Sequence, residues 1–296
     1  MTFLRYRRHK TQAASTRRNT STLRLLLIGI ALLLACFILG LYLFFPTDAL
    51  RERLEQELSA DPQVQVSMDS LKLAFPPALV ATDIQISTAG LPRDIVMESL
   101  QVKPLWLSLF SGNPGVKLKA HMYEGQVEAM VKKRGEIEAL ADSLRLELPV
   151  APGSSIQVAV TVDEIAFSGT WPIRPDTETT LNANLRELSL TGMNAIGAQS
   201  DTLRLGEVRL QGGGKGPSLR LDKIENSGGD ASLAGSGTLL LTQPAARSRV
   251  NLTFGLTPGA GFDPALRDTL GLFAKADNSG TFNLRLMGTL SNAQLR

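Results

Sequence analysis

The chain has very few of the side chains that catalysis and cross-linking use. Of its 296 residues one is a cysteine, Cys36, and two are histidines, His9 and His121. A single cysteine excludes an intramolecular disulfide. Zinc hydrolases and Ser/His/Asp enzymes both need imidazole as a ligand or base, and His9 lies in a basic terminal arm, which leaves one candidate. We therefore expect a protein that is not an enzyme, without catalytic residues, metal ligands or cofactor.

Acidic residues are absent from the start of the chain. Residues 1–24 contain no acid, and residues 25–45 contain no charge at all. The formal charge of +3 is therefore uneven, because residues 46–296 hold 24 bases and 28 acids, a net charge of −4. A nucleic-acid-binding protein needs positive charge on its folded surface, since neutralising phosphate supplies most of its affinity. We expect no nucleic-acid partner.

The uncharged residues 25–45 form a long hydrophobic run. As a helix they would reach about 31 Å, which matches a hydrocarbon core of about 30 Å. We expect a transmembrane helix from Leu25 to Phe45, in contact with the lipid bilayer. Seven basic residues precede it and set its direction by the positive-inside rule, with the N-terminus in the cytoplasm. They are Arg5, Arg7, Arg8, Lys10, Arg17, Arg18 and Arg24.

Two alternatives to a permanent anchor stay open. A cleaved signal peptide usually has an apolar core of about 7–15 residues, and this run is longer and ends in Phe44, Phe45 and Pro46. A lipoprotein signal would acylate Cys36, since Leu33-Leu34-Ala35-Cys36 resembles a lipobox. Nine further apolar residues follow Cys36, where a polar tether is usual.

The residues after the hydrophobic run change from a helical to an extended pattern. Leu50, Leu54 and Leu58 predict an amphipathic helix within residues 46–62, capped by Thr47 or Asp48. From residue 63 onward apolar residues alternate with period two, which predicts an antiparallel sheet with one buried and one wet face. Asp263 followed by Pro264 predicts the start of a second helix.

Pairs of polar residues repeatedly interrupt the alternation. A two-residue spacer shifts the apolar phase by one, so each pair marks either a β-bulge or a turn. Most pairs lack the Asn or Gly of a tight hairpin turn, which favours bulges, and bulges bend strands. We expect a curved, elongated sheet with a concave face. The pairs are Asp69-Ser70, Glu98-Ser99, Asp163-Glu164, Arg186-Glu187, Gly206-Glu207 and Asp222-Lys223.

The remaining candidate sites favour ordinary structure over chemistry. Asp163 and Glu164 would point to opposite faces of a strand and share no substrate. We expect His121 on a strand surface, and Lys132-Lys133-Arg134 at a hairpin tip, although that cluster could also touch anionic headgroups. The run from Gly212 to Gly216 lacks the spacing of a phosphate loop and predicts a flexible β-turn, with a domain linker as the alternative.

Five short stretches of the sequence carry a resemblance to a known family. They are Leu43-Phe44-Phe45-Pro46 with the following helix, Leu79 to Ile86 after Phe75-Pro76-Pro77, Pro104 to Gly112, Ala120 to Glu128, and Gly288 to Leu295. In order, and over nearly the whole chain, they resemble the long form of type II secretion system protein N. One departure is Glu124, where the family tends to have glycine, and another is Ala293, where proline is frequent.

The resemblance implies a non-catalytic accessory protein of the bacterial inner membrane. Its β-rich domain, residues 63–296, would lie in the periplasm of a Gram-negative cell and dock on other subunits of the type II protein secretion system, with residues 1–24 in the cytoplasm. The chain is also similar to AsmA-like envelope proteins, whose elongated sheets are associated with lipid movement. That likeness implies the alternative that a concave groove binds or transfers phospholipid or another lipid. The expected fold is mainly β, with one transmembrane helix and a curved antiparallel sheet with two short helices.

Overall fold

The computed structural model describes residues 19–60, 64–75, 77–88, 93–150, 154–242, 247–289 and 292–295. In the first helix, side chains are described at residues 24–37, 39–40, 42 and 44. The chain divides into two compact units, residues 1–46 and 47–296, and each is treated by itself. Six of the bases expected to set topology lie outside the described residues: Arg5, Arg7, Arg8, Lys10, Arg17 and Arg18.

Helix α1, Asn19–Phe44, is the regular element of the first unit. It contains Arg24 and Leu25 and ends one residue before Phe45, so both expected anchor ends lie in or beside it. Counting only the residues that the structure describes, no helix is long and apolar enough to cross a membrane. The transmembrane helix therefore stays a prediction.

The second unit is built on one open antiparallel sheet of fourteen strands. Each strand pairs with the one before it and the one after it, in the order β1 to β14, so β1 and β14 are the edges. This confirms the mainly β, antiparallel fold. The strands are β1 Val64–Ala74, β2 Ala78–Thr88, β3 Ile95–Pro104, β4 Gly115–Met122, β5 Gly125–Lys132, β6 Glu136–Pro149, β7 Gln157–Thr170, β8 Glu178–Thr191, β9 Thr202–Lys215, β10 Ser218–Ser227, β11 Ala231–Leu240, β12 Arg249–Pro258, β13 Phe282–Thr289 and β14 Asn292–Leu295.

Three α-helices and one 3-10 helix accompany the described strands. Helix α2, Thr47–Leu58, forms where the leucine spacing predicts it, and Leu50 and Leu54 pack on the start of the sheet. Helix α4, Pro264–Phe273, confirms the second predicted helix. The short helix α3, Trp106–Phe110, was not predicted, nor was the 3-10 helix Met193–Ile196.

The polar pairs all lie inside strands, so the alternative that the chain turns back at them is wrong. Register shifts occur at Asp163-Glu164 in β7, at Arg186-Glu187 in β8, beside Gly206 in β9 and at Asp222-Lys223 in β10. These four positions confirm the bulges that the phase change predicts. At a bulge the spacing between apolar residues changes by one residue. The apolar side chains before and after it therefore still face the same side of the sheet.

The bulges expected at Asp69-Ser70 and Glu98-Ser99 shift no register. Met68 pairs with Ile84 and Ser70 pairs with Thr82, so β1 and β2 stay in step across the interruption. The reason is that β2 carries its own irregularity opposite, at Asp83, whose φ is 49°. Matched irregularities on neighbouring strands cancel, and apolar residues on either side of the interruption join one cluster with Leu50 and Leu54.

Asp263 caps helix α4 and also binds the connection between β8 and β9. Its Oδ1 accepts a hydrogen bond from Ala265 N at 2.8 Å, and its Oδ2 accepts from Gln199 N at 2.7 Å and Ser200 N at 2.8 Å. The bond from Ser200 N, followed by those from Ala265 and Gln199, lowers the pKa of Asp263 even though desolvation opposes it. One carboxylate therefore fixes two segments that are 63 residues or more apart.

The lowered pKa predicts a pH-dependent contribution of Asp263 to stability. A carboxyl whose folded pKa is depressed stabilises the fold above its unfolded pKa, about 3.9, and loses that contribution as pH falls through the folded value. We expect Asp263→Asn to be less stable than the wild type near neutral pH, with a gap that stays constant down to about pH 5 and narrows as the pH falls further. Urea unfolding followed by circular dichroism measures the gap, and a gap that does not change with pH would contradict the assignment.

Candidate functional site

Two rows of apolar side chains cross the sheet from β1 to β13. Residues directly opposite each other on paired strands place their side chains on the same face. The first row is Leu71, Ala81, Leu100, Ala120, Val127, Ala141, Ile165, Ala183, Leu210, Ile224, Gly235, Phe254 and Leu284. The second row is Leu73, Leu79, Val102, Leu118, Ala129, Ala139, Phe167, Leu181, Gly212, Leu221, Gly237, Leu252 and Leu286.

The two rows form one uninterrupted apolar face. They contain only alanine, valine, leucine, isoleucine, phenylalanine and glycine, and no polar or charged side chain. On most strands the members of the two rows lie two residues apart, which keeps them on one side. On β10 they lie three apart, at Leu221 and Ile224, and the bulge between them restores the facing.

Both ends of the apolar face are covered by other elements. At the start, Leu50 and Leu54 of α2 pack with Leu71, Ala81 and their neighbours. Toward the other end, residues of α4 and of the β8–β9 connection pack on the sheet. That cluster contains Met193, Ala198, Leu203, Ala231, Leu256, Phe262, Leu266 and Leu284.

The apolar face lacks such a cover over strands β4 to β7. None of the three hydrophobic clusters among the described residues contains a residue of these four strands. Most row residues there are only half-buried, Phe167 and Ile165 among them, although Ala120 is 7% exposed. Outside the rows, Leu144 of β6 and Val162 of β7 are paired and are 7% and 1% exposed, so the uncovered part ends before them. We call this part the open stretch. Its row residues are Leu118, Ala120, Val127, Ala129, Ala139, Ala141, Ile165 and Phe167.

The opposite face of the same strands is charged. Lys117 Nζ lies 2.7 Å from Glu128 Oε2, and Lys119 Nζ lies 3.4 Å from Glu128 Oε1. The hydrogen bond from Lys117 is the main reason that the pKa of Glu128 is lowered. The sheet is therefore amphipathic, and adjacent residues of one strand, such as Ala139 and Leu140, belong to different environments.

Glycines of β9 lie opposite two buried leucines of the apolar face. Leu219 and Leu221 of β10 are 1% and 5% exposed, and Gly212 of β9 lies opposite Leu221. A Cβ at Gly212 would lie 2.7 Å from both Arg220 O and Leu221 Cδ2. The glycines thus leave room for leucine. The expected flexible turn is wrong at residues 212–215, which belong to β9, and Gly216 alone of that run lies in the hairpin turn.

The candidate side chains of the sequence fall in ordinary structural positions. His121 is exposed on β4, opposite Ser99 and Gln126. Asp163 forms an ion pair with Arg186 on the next strand. Lys132 ends β5, and Lys133 and Arg134 form the predicted hairpin tip with Gly135, whose φ is 85°.

No metal-binding cluster is found in the described part of the chain. There, no three His, Cys, Asp or Glu residues lie close enough together to hold a metal ion. A cavity of about 890 Å³ lies beside the bulges of β8 and β9, lined by residues such as Arg186, Glu187, Arg204 and Asp230. Its lining mixes both charges and contains no cysteine or histidine.

The chain is a mainly β protein with a fourteen-stranded open antiparallel sheet and an apolar face that runs from β1 to β13. No family model, no curated protein sequence and no solved structure matches it. Its sheet and its surfaces are therefore the basis for inferring what it does.

Proposed function

We propose that the protein binds the hydrocarbon part of a lipid along the apolar face of its sheet. The observation that carries this proposal is the pair of apolar rows, which continue without a polar residue across the open stretch. Buried apolar surface contributes about 25 cal/mol per Å², so an uncovered apolar face of this length favours an apolar occupant. The uniform lining offers no polar group that would select one headgroup.

The burial of the rows beyond the open stretch supports a concave face. Val208 and Leu219 are 4% and 1% exposed, yet their cluster consists of sheet residues alone. Side chains on a flat sheet face without a covering layer would be more exposed, so this burial favours a sheet that curls around them. Thirteen strands at about 4.8 Å spacing extend the rows over about 60 Å. Such a path is long enough to hold or pass an acyl chain, and it gives the curved, elongated sheet that we propose.

We further propose that residues 25–45 anchor the protein in the inner membrane, with residues 1–24 in the cytoplasm and the sheet in the periplasm. The support is the uncharged run and the seven bases before it. The described side chains of α1 are exposed, including Leu25 at 68%, Leu33 at 71% and Phe37 at 66%. A helix so apolar on its surface is stabilised by lipid rather than by water.

Lipid binding is tested by mass spectrometry of residues 47–296 purified without detergent. Circular dichroism first checks that this part retains its β-sheet. We expect co-purifying phospholipid in amounts comparable to the protein. Repeated preparations of folded protein without lipid would count against the proposal.

A second candidate function is docking on subunits of a protein secretion system. The motivation is the sequence resemblance, and the feature of the fold that favours it is the pair of edge strands β1 and β14, since an exposed edge can pair with a strand of another protein. Deleting the gene in a cell that secretes by the type II route should then reduce secretion and leave the lipid composition of the envelope normal. Unchanged secretion would remove this candidate.

A further inference from the structure

The two ends of the strands carry opposite charge. Because the strands form a meander, the connections β1–β2, β3–β4 and so on lie at one end, and the connections β2–β3, β4–β5 and so on lie at the other. The connections of the first set contain four bases, Lys133, Arg134, Arg174 and Arg247, and one acid, Asp176. Those of the second set contain three bases and seven acids. We call the first set the basic end.

The basic end also presents large apolar side chains to solvent. Trp106, Leu107 and Phe110 of α3 are 50%, 88% and 91% exposed, and Trp171 is 47% exposed. The chain has two tryptophans, and both lie here. Leaving such side chains in water is unfavourable, and tryptophan prefers the boundary between water and lipid.

Hydrogen bonds join the connections of the basic end into one surface. Arg134 N donates to Asn113 Oδ1 at 3.2 Å, and Trp171 N donates to Gly135 O at 2.7 Å. Gly216 N donates to Thr177 O at 2.9 Å, and Leu241 N donates to Pro217 O at 2.7 Å. Helix α3 is attached to the start of β4, because Gly115 N donates a hydrogen bond to Ser108 Oγ at 3.0 Å. The exposed apolar and basic groups are thus presented together.

We propose that the basic end docks on the surface of a bilayer that contains anionic lipid. Trp106, Leu107, Phe110 and Trp171 insert at the level of the headgroups, and Lys133, Arg134 and Arg174 lie against the lipid phosphates. The combination of exposed aromatic residues with positive charge fits an anionic interface. The surplus of acid at the other end sets the orientation, because an anionic surface repels it.

The electrostatics of one neighbouring carboxyl support a positive field at this end. Lys132 Nζ donates a hydrogen bond to Glu136 Oε2 at 2.9 Å. That bond is the main cause of the lowered pKa of Glu136, and the charges of Lys132, Arg134 and Arg174 lower it further.

The docking is independent of whether the apolar face carries lipid. If both hold, the long side of the groove that these connections form faces the membrane surface. Because the experiment follows the position of the two tryptophans, its failure says nothing about lipid binding by the sheet.

The full-length chain reconstituted in liposomes gives the test, because tryptophan fluorescence reports on the basic end alone. Brominated phosphatidylglycerol or brominated phosphatidylcholine is placed in the host liposomes or in a second, added population of vesicles. We expect quenching by brominated phosphatidylglycerol in one of the two membranes, weakened several-fold by high salt. The variant Trp171→Phe isolates the signal of Trp106.

A pair of charge-reversal variants provides the control. Lys133→Glu with Arg134→Glu should reduce quenching several-fold, whereas Arg267→Glu with Lys275→Glu, the same charge change at the other end, should leave it intact. Absence of quenching in both membranes would overturn the proposal. So would equal quenching by neutral and anionic bilayers, or a spectral shift that depends on protein concentration without vesicles, which would indicate a second copy as the occupant.

Discussion

Replacing Ala139 by glutamate should abolish most lipid binding, while replacing its neighbour Leu140 by glutamate should not. Ala139 lies in the second apolar row, within the open stretch, and Leu140 is 42% exposed on the charged face of the same strand. A carboxylate at position 139 would lose its water when an acyl chain covers it. Burying a charge that has no hydrogen-bonding or ionic partner costs free energy, so binding is weakened. We expect at least a tenfold loss of co-purifying phospholipid, or about 1.4 kcal/mol.

The two variants differ mainly in the face of the sheet on which the new carboxylate lies. Both introduce the same charge into β6, and neither replaces a fully buried side chain. Ala129→Glu, directly opposite Ala139 on β5, should repeat the loss. Equal retention of lipid by the Ala139 and Leu140 variants, with unchanged circular dichroism, would show that the apolar rows of the open stretch are not the binding surface.

The second large effect is expected at Leu219, one of the most buried side chains of the sheet. Leu219 is 1% exposed and packs with Val208, Leu221 and Ile224. Truncating a fully buried leucine to alanine removes its transfer free energy and leaves a cavity, at a cost of about 3 kcal/mol. We expect Leu219→Ala to lower the free energy of unfolding by about that amount in urea titrations of residues 47–296.

Leu240 provides the matched control for Leu219. It lies on β11 and is 39% exposed. Leu240→Ala should therefore cost about 1 to 2 kcal/mol, less than Leu219→Ala, since 39% of Leu240 is already exposed to water in the folded protein. Similar costs for the two variants would mean that the face does not curl around Leu219, and the proposed concave groove would lose its main support.

The local elements could be predicted from the sequence because their signals are local. The spacing of Leu50, Leu54 and Leu58 gave α2, and Asp263 with Pro264 gave the cap of α4. Alternation with period two after residue 63 predicted the antiparallel sheet. Helix α3 has five residues and β14 has four, too few to establish a period.

The candidate site could not be predicted because it depends on register across strands. Leu118 and Phe167 belong to one row only because β4, β5, β6 and β7 pair in a particular alignment. Whether a bulge shifts that alignment depends on the neighbouring strand, as Asp83 of β2 demonstrates between the Met68–Ile84 and Ser70–Thr82 pairs. Gly212 likewise predicts a turn from sequence alone, whereas in the structure it lies in β9, opposite Leu221.

The most direct test of lipid binding by the apolar face is photo-cross-linking within the full-length protein in living cells. A photoreactive amino acid is placed at Phe167 in one strain and at Ser168 in another, so that adjacent residues of β7 probe opposite faces of the sheet. Our account predicts lipid adducts, identified by mass spectrometry, at position 167 and not at position 168. Protein adducts or none at position 167, or lipid adducts of equal yield at both positions, would contradict it.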